Sequence, residues 1–141
     1  MATEPEYIMA LDVGTKRIGV ALAHRIARLP SPLLTLDRAL NTVDDIQKLI
    51  DEHNVGAVVV GWPRGLSGQS TGQTQSTEEF AKVLANNLKV PLYLSDEALT
   101  SVAAEKDLGE KALTDKAAID AVAAAYILEY FLRDHPEVMA E

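Results

Sequence analysis

The sequence predicts an α/β fold in which an antiparallel meander is followed by a parallel half, forming one mixed five-stranded sheet flanked by helices. Two observations carry this prediction: short apolar strands come first along the chain, and helical periodicity then alternates with unbroken apolar runs. A chain of 141 residues can bury one hydrophobic core, and we expect a single domain over residues 1–141.

The amino-terminal part predicts the meander. Two apolar strands, Tyr7–Val13 and Arg17–Ala23, are joined by the tight polar turn Gly14–Lys16. A third strand, Ser31–Leu36, begins beside two prolines, which suit a strand start or a sheet edge.

The remaining chain alternates helices with buried strands. In order we expect a helix that stops near Asn54, a strand Val55–Gly61, a loop Trp62–Gln75, a helix around Phe80–Leu88, a strand Pro91–Ser95, a short helix near Leu99–Leu108, a longer helix Asp115–Arg133 and a polar tail after Pro136. Chemistry in open sheets gathers at the carboxyl ends of parallel strands. The residues just after Leu11, Val60 and Leu94 are therefore the first candidates for a site.

The composition limits the kinds of metal site. The sequence contains no cysteine, which excludes disulfides and thiolate ligands, and its three histidines show no metal-ligand spacing. Any metal would be held mainly by oxygen, which favours hard cations such as Mg²⁺ or Mn²⁺. No apolar run reaches the roughly 20 residues of a membrane span, and we expect a cytoplasmic protein.

The charge of the chain leaves a nucleic-acid partner open. Thirteen basic and 21 acidic residues give a formal net charge of −8, whereas nucleic-acid-binding proteins usually present a basic surface. The charge is uneven, because residues 1–70 carry seven Lys or Arg against eight Asp or Glu. Net charge therefore does not decide the partner.

Asp12 is the first candidate catalytic acid. It ends the apolar run Ile8–Leu11, so its carboxylate emerges from an interior segment, where an unpaired charge is costly. The alternative is a residue that begins the Gly14 turn, with Lys16 or Arg17 as its counter-ion.

Asp96 and Glu97 follow a buried apolar strand directly. In extended geometry Asp96 shares a face with Leu92, whereas Glu97 points the other way with Tyr93. We expect only one of the two acids to face a site shared with Asp12. Asp96 is also a candidate cap for the next helix.

Asp120 heads a helical stripe that is otherwise apolar. It shares one helix face with three apolar residues, Ala124, Ile127 and Phe131. Its carboxylate should therefore face protein rather than bulk water, although a surface pair with Lys116 is the alternative. Asp115 is more simply a cap or first-turn acid of the same helix.

Acids at two strand ends and one helix can converge on a single pocket. Their mutual repulsion would require a cation, and two Mg²⁺ or Mn²⁺ ions roughly 3.5–4 Å apart would activate water and stabilise the leaving oxygen in phosphodiester hydrolysis. The pattern indicates a two-metal-ion nuclease. Its candidate ligands are Asp12, Asp96, Glu97 and Asp120.

The long loop after the Val55–Gly61 strand is polar and rich in glycine. Loops of this length at strand ends tend to be functional, although a Gly-rich loop can also simply be mobile. We expect Arg64 to contact phosphate, and Trp62 either to stack on a base or to pack against protein.

Four segments together resemble the YqgF family, in order and over nearly the whole chain. They are Leu11–Ala21, Val59–Pro63, Asp96–Ser101 and Asp120–Leu128. Members of that family are described as Holliday junction resolvases or as pre-ribosomal-RNA nucleases. The resemblance implies a ribonuclease H-like fold and a role in trimming the 5′ end of the precursor of small-subunit (16S) rRNA.

The resemblance also implies roles for individual residues. Asp12 matches the family's first-strand acid, Glu97 the acid after the later strand and Asp120 the helix acid, which agrees with the acids found from the pattern. Together with Arg64, the motif neighbours are expected to contact nucleic acid: Lys16, Arg17, Thr100 and Ser101.

Three positions depart from the family pattern. Ala98 stands where the family commonly has Arg, His24 where it often has Asp, and Trp62 where it usually has Leu. The absence of an arginine at Ala98 removes one phosphate contact of the family pattern but leaves the three acids in place.

The expected partner is precursor rRNA, in ribosomal precursor particles, with the protein a monomer or a homodimer. One alternative is a resolvase dimer that cleaves branched DNA. Another is a non-catalytic ribosome-assembly module, which the acidic net charge and Ala98 favour. The Asp-x-Gly-Thr start also occurs in the actin and sugar-kinase superfamily, but those proteins need two such lobes and this chain supplies one.

Overall fold

The computed structural model describes residues 4–14, 16–38, 42–62, 72–96 and 116–139. Five strands and three helices lie within these ranges. In chain order they are β1 (Tyr7–Val13), β2 (Arg17–His24), β3 (Ser31–Asp37), α1 (Thr42–His53), β4 (Val55–Trp62), α2 (Gly72–Asn87), β5 (Leu92–Asp96) and α3 (Lys116–Asp134).

The strands form one sheet in the order β3-β2-β1-β4-β5. β2 pairs antiparallel with both β1 and β3, whereas β4 pairs parallel with both β1 and β5. The predicted mixed sheet, with an antiparallel meander and a parallel half, is confirmed. The carboxyl ends of β1, β4 and β5 therefore meet at one edge of the sheet.

A tight turn joins β1 to β2 directly after the candidate acid of β1. The amide of Gly14 donates to the carbonyl of Arg17 over 2.8 Å, and Val13 pairs with Ile18 across the turn. The predicted hairpin is thus present, and it fixes the register in which Asp12 lies opposite Gly19.

The sheet buries two different faces. Helices α1 and α2 pack against one face, which we call the α1/α2 face; its buried strand residues are Met9, Leu11, Val13, Ile18, Val20, Leu22, Val55, Val58 and Val60. Helix α3 packs against the opposite face, which we call the α3 face; its core contains Ile8, Ala10, Ala23, Ala57, Val59, Ile127, Leu128, Phe131 and Leu132. Successive strand side chains alternate between these faces.

Two sequence predictions need correction. The loop predicted up to Gln75 is shorter, because α2 already begins at Gly72; the first turn of this helix is polar and carries no apolar periodicity. The tail after Pro136 is not wholly polar, since Val138 is buried against the α3 core. Arg28 fastens this tail by donating from Nη1 to the carbonyl of Val138 over 3.0 Å. The short helix predicted near Leu99–Leu108 lies outside the described residues.

Within the described ranges, no helix combines the length and the apolar character needed to cross a bilayer.

Candidate active site

Asp12 lies near the carboxyl end of the central strand β1. Ile8 and Ala10 of the same strand pack on the α3 face, whereas Met9 and Leu11 pack on the α1/α2 face. Strand alternation therefore assigns Asp12 to the α3 face. The residue is half-buried, as expected for an acid that leaves an interior segment.

Gly19 connects Asp12 to the helix acid. It is the register partner of Asp12 on β2, and a Cβ atom added to it would lie only 1.9 Å from the carbonyl oxygen of Asp120. The backbone of α3 thus rests directly on β2 at this point. Asp12 and Asp120 are therefore brought to the same face and the same end of the sheet, although they are far apart in sequence.

Arg17 binds the carboxylate of Asp120. Its Nε atom donates to Oδ2 over 2.7 Å, and the two side chains are 36% and 24% exposed. Asp120 therefore faces protein, as its place on the helical stripe predicts. The sequence suggested Lys116 as a partner of Asp120 and Arg17 as a partner of Asp12, whereas the observed ion pair joins Arg17 to Asp120.

The β5 end supplies the other two predicted acids, of which the structure describes little. β5 ends at Asp96, which pairs with Trp62 of β4; the side chain of Asp96 and the whole of Glu97 lie outside the described residues. The described part of β5 still fixes its faces. Leu92 packs on the α1/α2 face, and the ring of Tyr93 lies 5.4 Å from that of Phe131 in α3.

Of the residues predicted to contact nucleic acid, the structure describes two. Lys16 is exposed in the β1–β2 turn and Arg17 is only partly exposed beside Asp120. The remaining predicted contacts lie outside the described residues: Arg64, Thr100 and Ser101.

Arg38 is a residue of this region whose role the sequence did not indicate. Its Nη1 donates to the carbonyl of Gly14 over 3.0 Å, and its guanidinium lies 4.8 Å from the centre of the Phe80 ring in α2. Its amide also donates to the carbonyl of Lys16 over 2.9 Å. Arg38 therefore ties the turn after Asp12 to the helix that covers the opposite face. No local sequence pattern predicts such a contact.

The departure at His24 does not affect the acids. His24 ends β2 at the opposite end of the sheet, where it pairs with Tyr7 and its ring lies 5.2 Å from the tyrosine ring. Five residues of strand separate it from Gly19, which is roughly 17 Å. A histidine at this position therefore cannot replace or disturb a ligand near Asp12.

The donor chemistry of the described acids suits a hard divalent cation. Asp12 and Asp120 offer carboxylate oxygens, which Mg²⁺ and Mn²⁺ prefer. Among the described residues, no group of three His, Cys, Asp or Glu side chains is placed to hold a metal ion. The described part thus contributes two of the three predicted ligands, and the third, Glu97, lies outside it.

A cavity of about 600 Å³ lies at the other end of the sheet. It is lined by residues that precede β1, β4 and β5 or end α1, among them Glu6, Asn54 and Lys89. The amino ends of the parallel strands meet there, away from Asp12 and Asp120. This cavity is therefore distinct from the candidate active site.

The fold is shared with solved Holliday junction resolvases. RuvC of T. thermophilus in complex with a Holliday junction substrate superposes with a TM-score of 0.56 at 14% identity, covering 92% of this chain and 95% of that one. The fowlpox virus Holliday junction resolvase gives a TM-score of 0.54 at 11% identity, covering 91% and 98%. At such identities the likeness establishes the fold, and the chain is of the ribonuclease H-like class, as predicted.

Sequence relatives narrow this class to one family. The family model described as RuvX: Holliday junction resolvase matches residues 6–134. A protein of Chloroflexus aurantiacus named "Putative pre-16S rRNA nuclease" is 41% identical over 132 residues, covering 90% of this chain and 86% of the relative. A protein of the same name from a Roseiflexus species is 41% identical over 138 residues, covering 94% and 97%.

The chain belongs to the RuvX family, which is the YqgF family that its motifs resemble. The predictions of family and of a phosphodiester-cleaving nuclease are confirmed with this assignment.

Proposed function

We propose that this nuclease is metal-dependent and that Asp12, Glu97 and Asp120 hold the catalytic ions. The observation that carries the proposal is the seating of the Asp120 backbone on Gly19, the register partner of Asp12. Two half-buried carboxylates on one sheet face offer the oxygen ligands that hard divalent cations prefer.

We favour Glu97 over Asp96 as the third ligand. Tyr93 packs toward α3 and Leu92 packs on the other face. If the alternation of β5 continues by one residue, position 97 belongs to the same sheet face as Tyr93. That is the α3 face, to which Asp12 also belongs. By the same alternation Asp96 belongs to the α1/α2 face with Leu92, and it is the weaker candidate for the third ligand.

The bound ions, Mg²⁺ or Mn²⁺, would activate the attacking water and stabilise the leaving oxygen of the phosphodiester. The carboxylates of the chain fix where the ions bind, and the rigidity of the sheet and of α3 fixes the geometry between them. Lys16, Arg17 and Arg64 would meet the phosphate backbone, with Thr100 and Ser101 as further polar contacts.

We propose the 5′ end of precursor 16S rRNA as the substrate, in the cytoplasm where ribosomal precursor particles form. The names of the relatives from Chloroflexus aurantiacus and Roseiflexus support this choice. Branched DNA is the second candidate substrate, which the description of the RuvX family favours.

One experiment tests both the site and the substrate. The purified protein is incubated with precursor 16S rRNA and, separately, with a four-way DNA junction, each with Mg²⁺ or Mn²⁺. We expect faster cleavage of the RNA. Asp12→Asn should lower the rate more than about 100-fold, since even outer-shell partners of metal ligands cost 10- to 100-fold.

Glu52→Gln is the matched control for loss of one negative charge. Glu52 is exposed and lines the cavity at the far end of the sheet, so its loss should leave the rate unchanged. Full activity of Asp12→Asn would rule out the proposed site. Faster cleavage of the junction would make branched DNA the substrate, and absence of both cleavage and Mn²⁺ binding would indicate a non-catalytic assembly module.

A further inference from the structure

We propose that Arg17 is a positioning residue that orients the Asp120 carboxylate for a metal ion, in addition to any contact it makes with nucleic acid. The inference rests on the proposed function, because it assumes that Asp120 is a ligand. It concerns a property that can be measured without substrate, namely the affinity of the protein for the metal alone.

The backbone at Asp120 is already fixed before the side chain is considered. A Cβ atom added to Gly19 would lie 1.9 Å from the carbonyl oxygen of Asp120. The backbone of α3 therefore lies directly against the backbone of β2 at this residue, which restricts movement of the helix. What remains free in an aspartate on a fixed backbone is its two side-chain torsions. A hydrogen bond to one carboxylate oxygen is enough to restrict both.

Arg17 supplies that hydrogen bond with a single atom. Nε donates to Oδ2 over 2.7 Å, across 103 residues of sequence, which is a short, charge-assisted contact. From the described residues, the other carboxylate oxygen, Oδ1, accepts no side-chain hydrogen bond. A contact from the sheet to one carboxylate oxygen, with the second oxygen as the ligand, is the arrangement in which outer-shell partners orient metal-binding carboxylates.

The strand supporting Arg17 makes the contact reproducible. Arg17 and Gly19 are two residues apart on β2 and therefore lie on the same face. Gly19, which has no side chain, allows the backbone of α3 to approach the strand. Arg17, which has a long side chain, reaches the carboxylate of Asp120 on that helix. The side chains of Asp120 and Arg17 are 24% and 36% exposed, so solvent screens the pair less than it screens a fully exposed pair.

The sign of the change in metal affinity separates positioning from simple charge. A guanidinium near a cation site repels the cation, so on electrostatics alone its removal should tighten metal binding. If Arg17 orients Asp120, its removal should instead weaken metal binding, because the freed carboxylate must be ordered by the ion itself.

The test is a calorimetric titration of Mn²⁺ into the metal-free protein, with no nucleic acid present. We expect Arg17→Gln to weaken Mn²⁺ binding about 10- to 100-fold. Arg17→Lys, which keeps the charge and one donor, should restore part of the affinity. Lys89→Gln is the matched control: it removes the same charge from an exposed residue that lines the cavity at the far end of the sheet, and should leave the affinity unchanged.

Circular dichroism in EDTA establishes that each variant is folded. If Arg17→Gln did not fold, Arg17→Met, which removes every side-chain hydrogen-bond donor and keeps an aliphatic stem, would replace it in the same comparison. Equal or tighter Mn²⁺ binding by the folded variant would overturn the positioning role while leaving the proposed function intact. Failure of the wild-type protein to bind Mn²⁺ would overturn the proposed metal site and the positioning role together.

Discussion

The two faces of the sheet differ in the size of the side chains that cover them. The α1/α2 face is built from large aliphatic residues, among them Met9, Leu11, Val20, Val58 and Val60. The α3 face uses small residues at central positions of the strands, namely Ala10, Gly19, Ala23 and Ala57. One face holds its helices at a distance with side chains, whereas the other admits its helix to the backbone of the strand.

This difference affects how firmly the two described acids of the α3 face, Asp12 and Asp120, are held in place. Where side chains separate helix from sheet, a helix can shift by fractions of an ångström as the side chains repack. Where backbone meets backbone, as at Gly19 and Asp120, no such adjustment exists. A carboxylate carried on that part of α3 is therefore placed with the precision that a catalytic site requires.

The largest expected effect follows from filling the contact at Gly19. Gly19→Ala places a methyl group 1.9 Å from the carbonyl oxygen of Asp120, and only a movement of α3 can relieve the overlap. We expect a loss of more than about 3 kcal/mol in the free energy of unfolding, at or beyond the usual range for overpacking. Urea denaturation measures this loss, and Mn²⁺ binding should be lost with it.

Gly56 provides the control for the Gly19 variant. A Cβ there would meet side-chain atoms, Cβ of Pro5 at 2.4 Å and Cε of Met139 at 2.8 Å, both near the ends of the chain. Because a shift of these terminal segments relieves the overlap, Gly56→Ala should cost less, at most about 2 kcal/mol, and should leave Mn²⁺ affinity unchanged. Equal losses for the two variants would contradict a special role for the backbone contact.

The second-largest effect is expected from Leu84→Ala, which should lower stability without changing metal binding. Leu84 of α2 is fully buried against the α1/α2 face. Leu84→Ala should cost about 3 kcal/mol through lost burial and the cavity left behind. If the two faces of the sheet act separately, the folded variant should bind Mn²⁺ with the affinity of the wild-type protein in calorimetry. A weakened affinity would show that the α1/α2 face also positions the acids.

The fold was predictable because its signals are local. Continuous apolar runs identify the central strands, and the stripe of Asp120, Ala124, Ile127 and Phe131 places the carboxylate toward protein, where it is found half-buried. The start of α2 could not be found in this way. Its first turn contains only glycine and polar residues, so no apolar periodicity marks Gly72 as a helix start.

The contacts that arrange the site could not be predicted from local pattern. Arg17 and Asp120 are 103 residues apart, and each has nearer residues of opposite charge with which a sequence argument pairs it first. Gly19 looks like an ordinary glycine within a strand until the helix that rests on it is known. The types of candidate residue were thus visible in the sequence, whereas the pairing of Arg17 with Asp120 depends on how α3 crosses the sheet.

A smaller effect should follow from loosening the turn after Asp12. Arg38→Met removes the hydrogen bond to the carbonyl of Gly14 and the cation–π contact with Phe80. We expect a loss of about 1 to 2 kcal/mol in the free energy of unfolding. A double-mutant cycle with Phe80→Leu isolates the ring contact, and a coupling energy near zero would show that the turn and α2 are not joined through it.

The smallest effect concerns the second ion pair of α3, between Glu129 and Arg133. Their side chains meet at 3.3 Å one turn apart and are 47% and 64% exposed, so solvent screens the pair and both backbones already belong to one helix. Glu129→Gln should cost less than about 0.5 kcal/mol. The Arg17–Asp120 pair is less exposed and joins two packed elements, so its coupling energy in a double-mutant cycle should be larger, about 1 kcal/mol after screening. Equal coupling energies in the two pairs would mean that the Arg17–Asp120 bond is no stronger than an ion pair on an open helix surface. The close approach of α3 to β2 would then contribute no order to the carboxylate of Asp120.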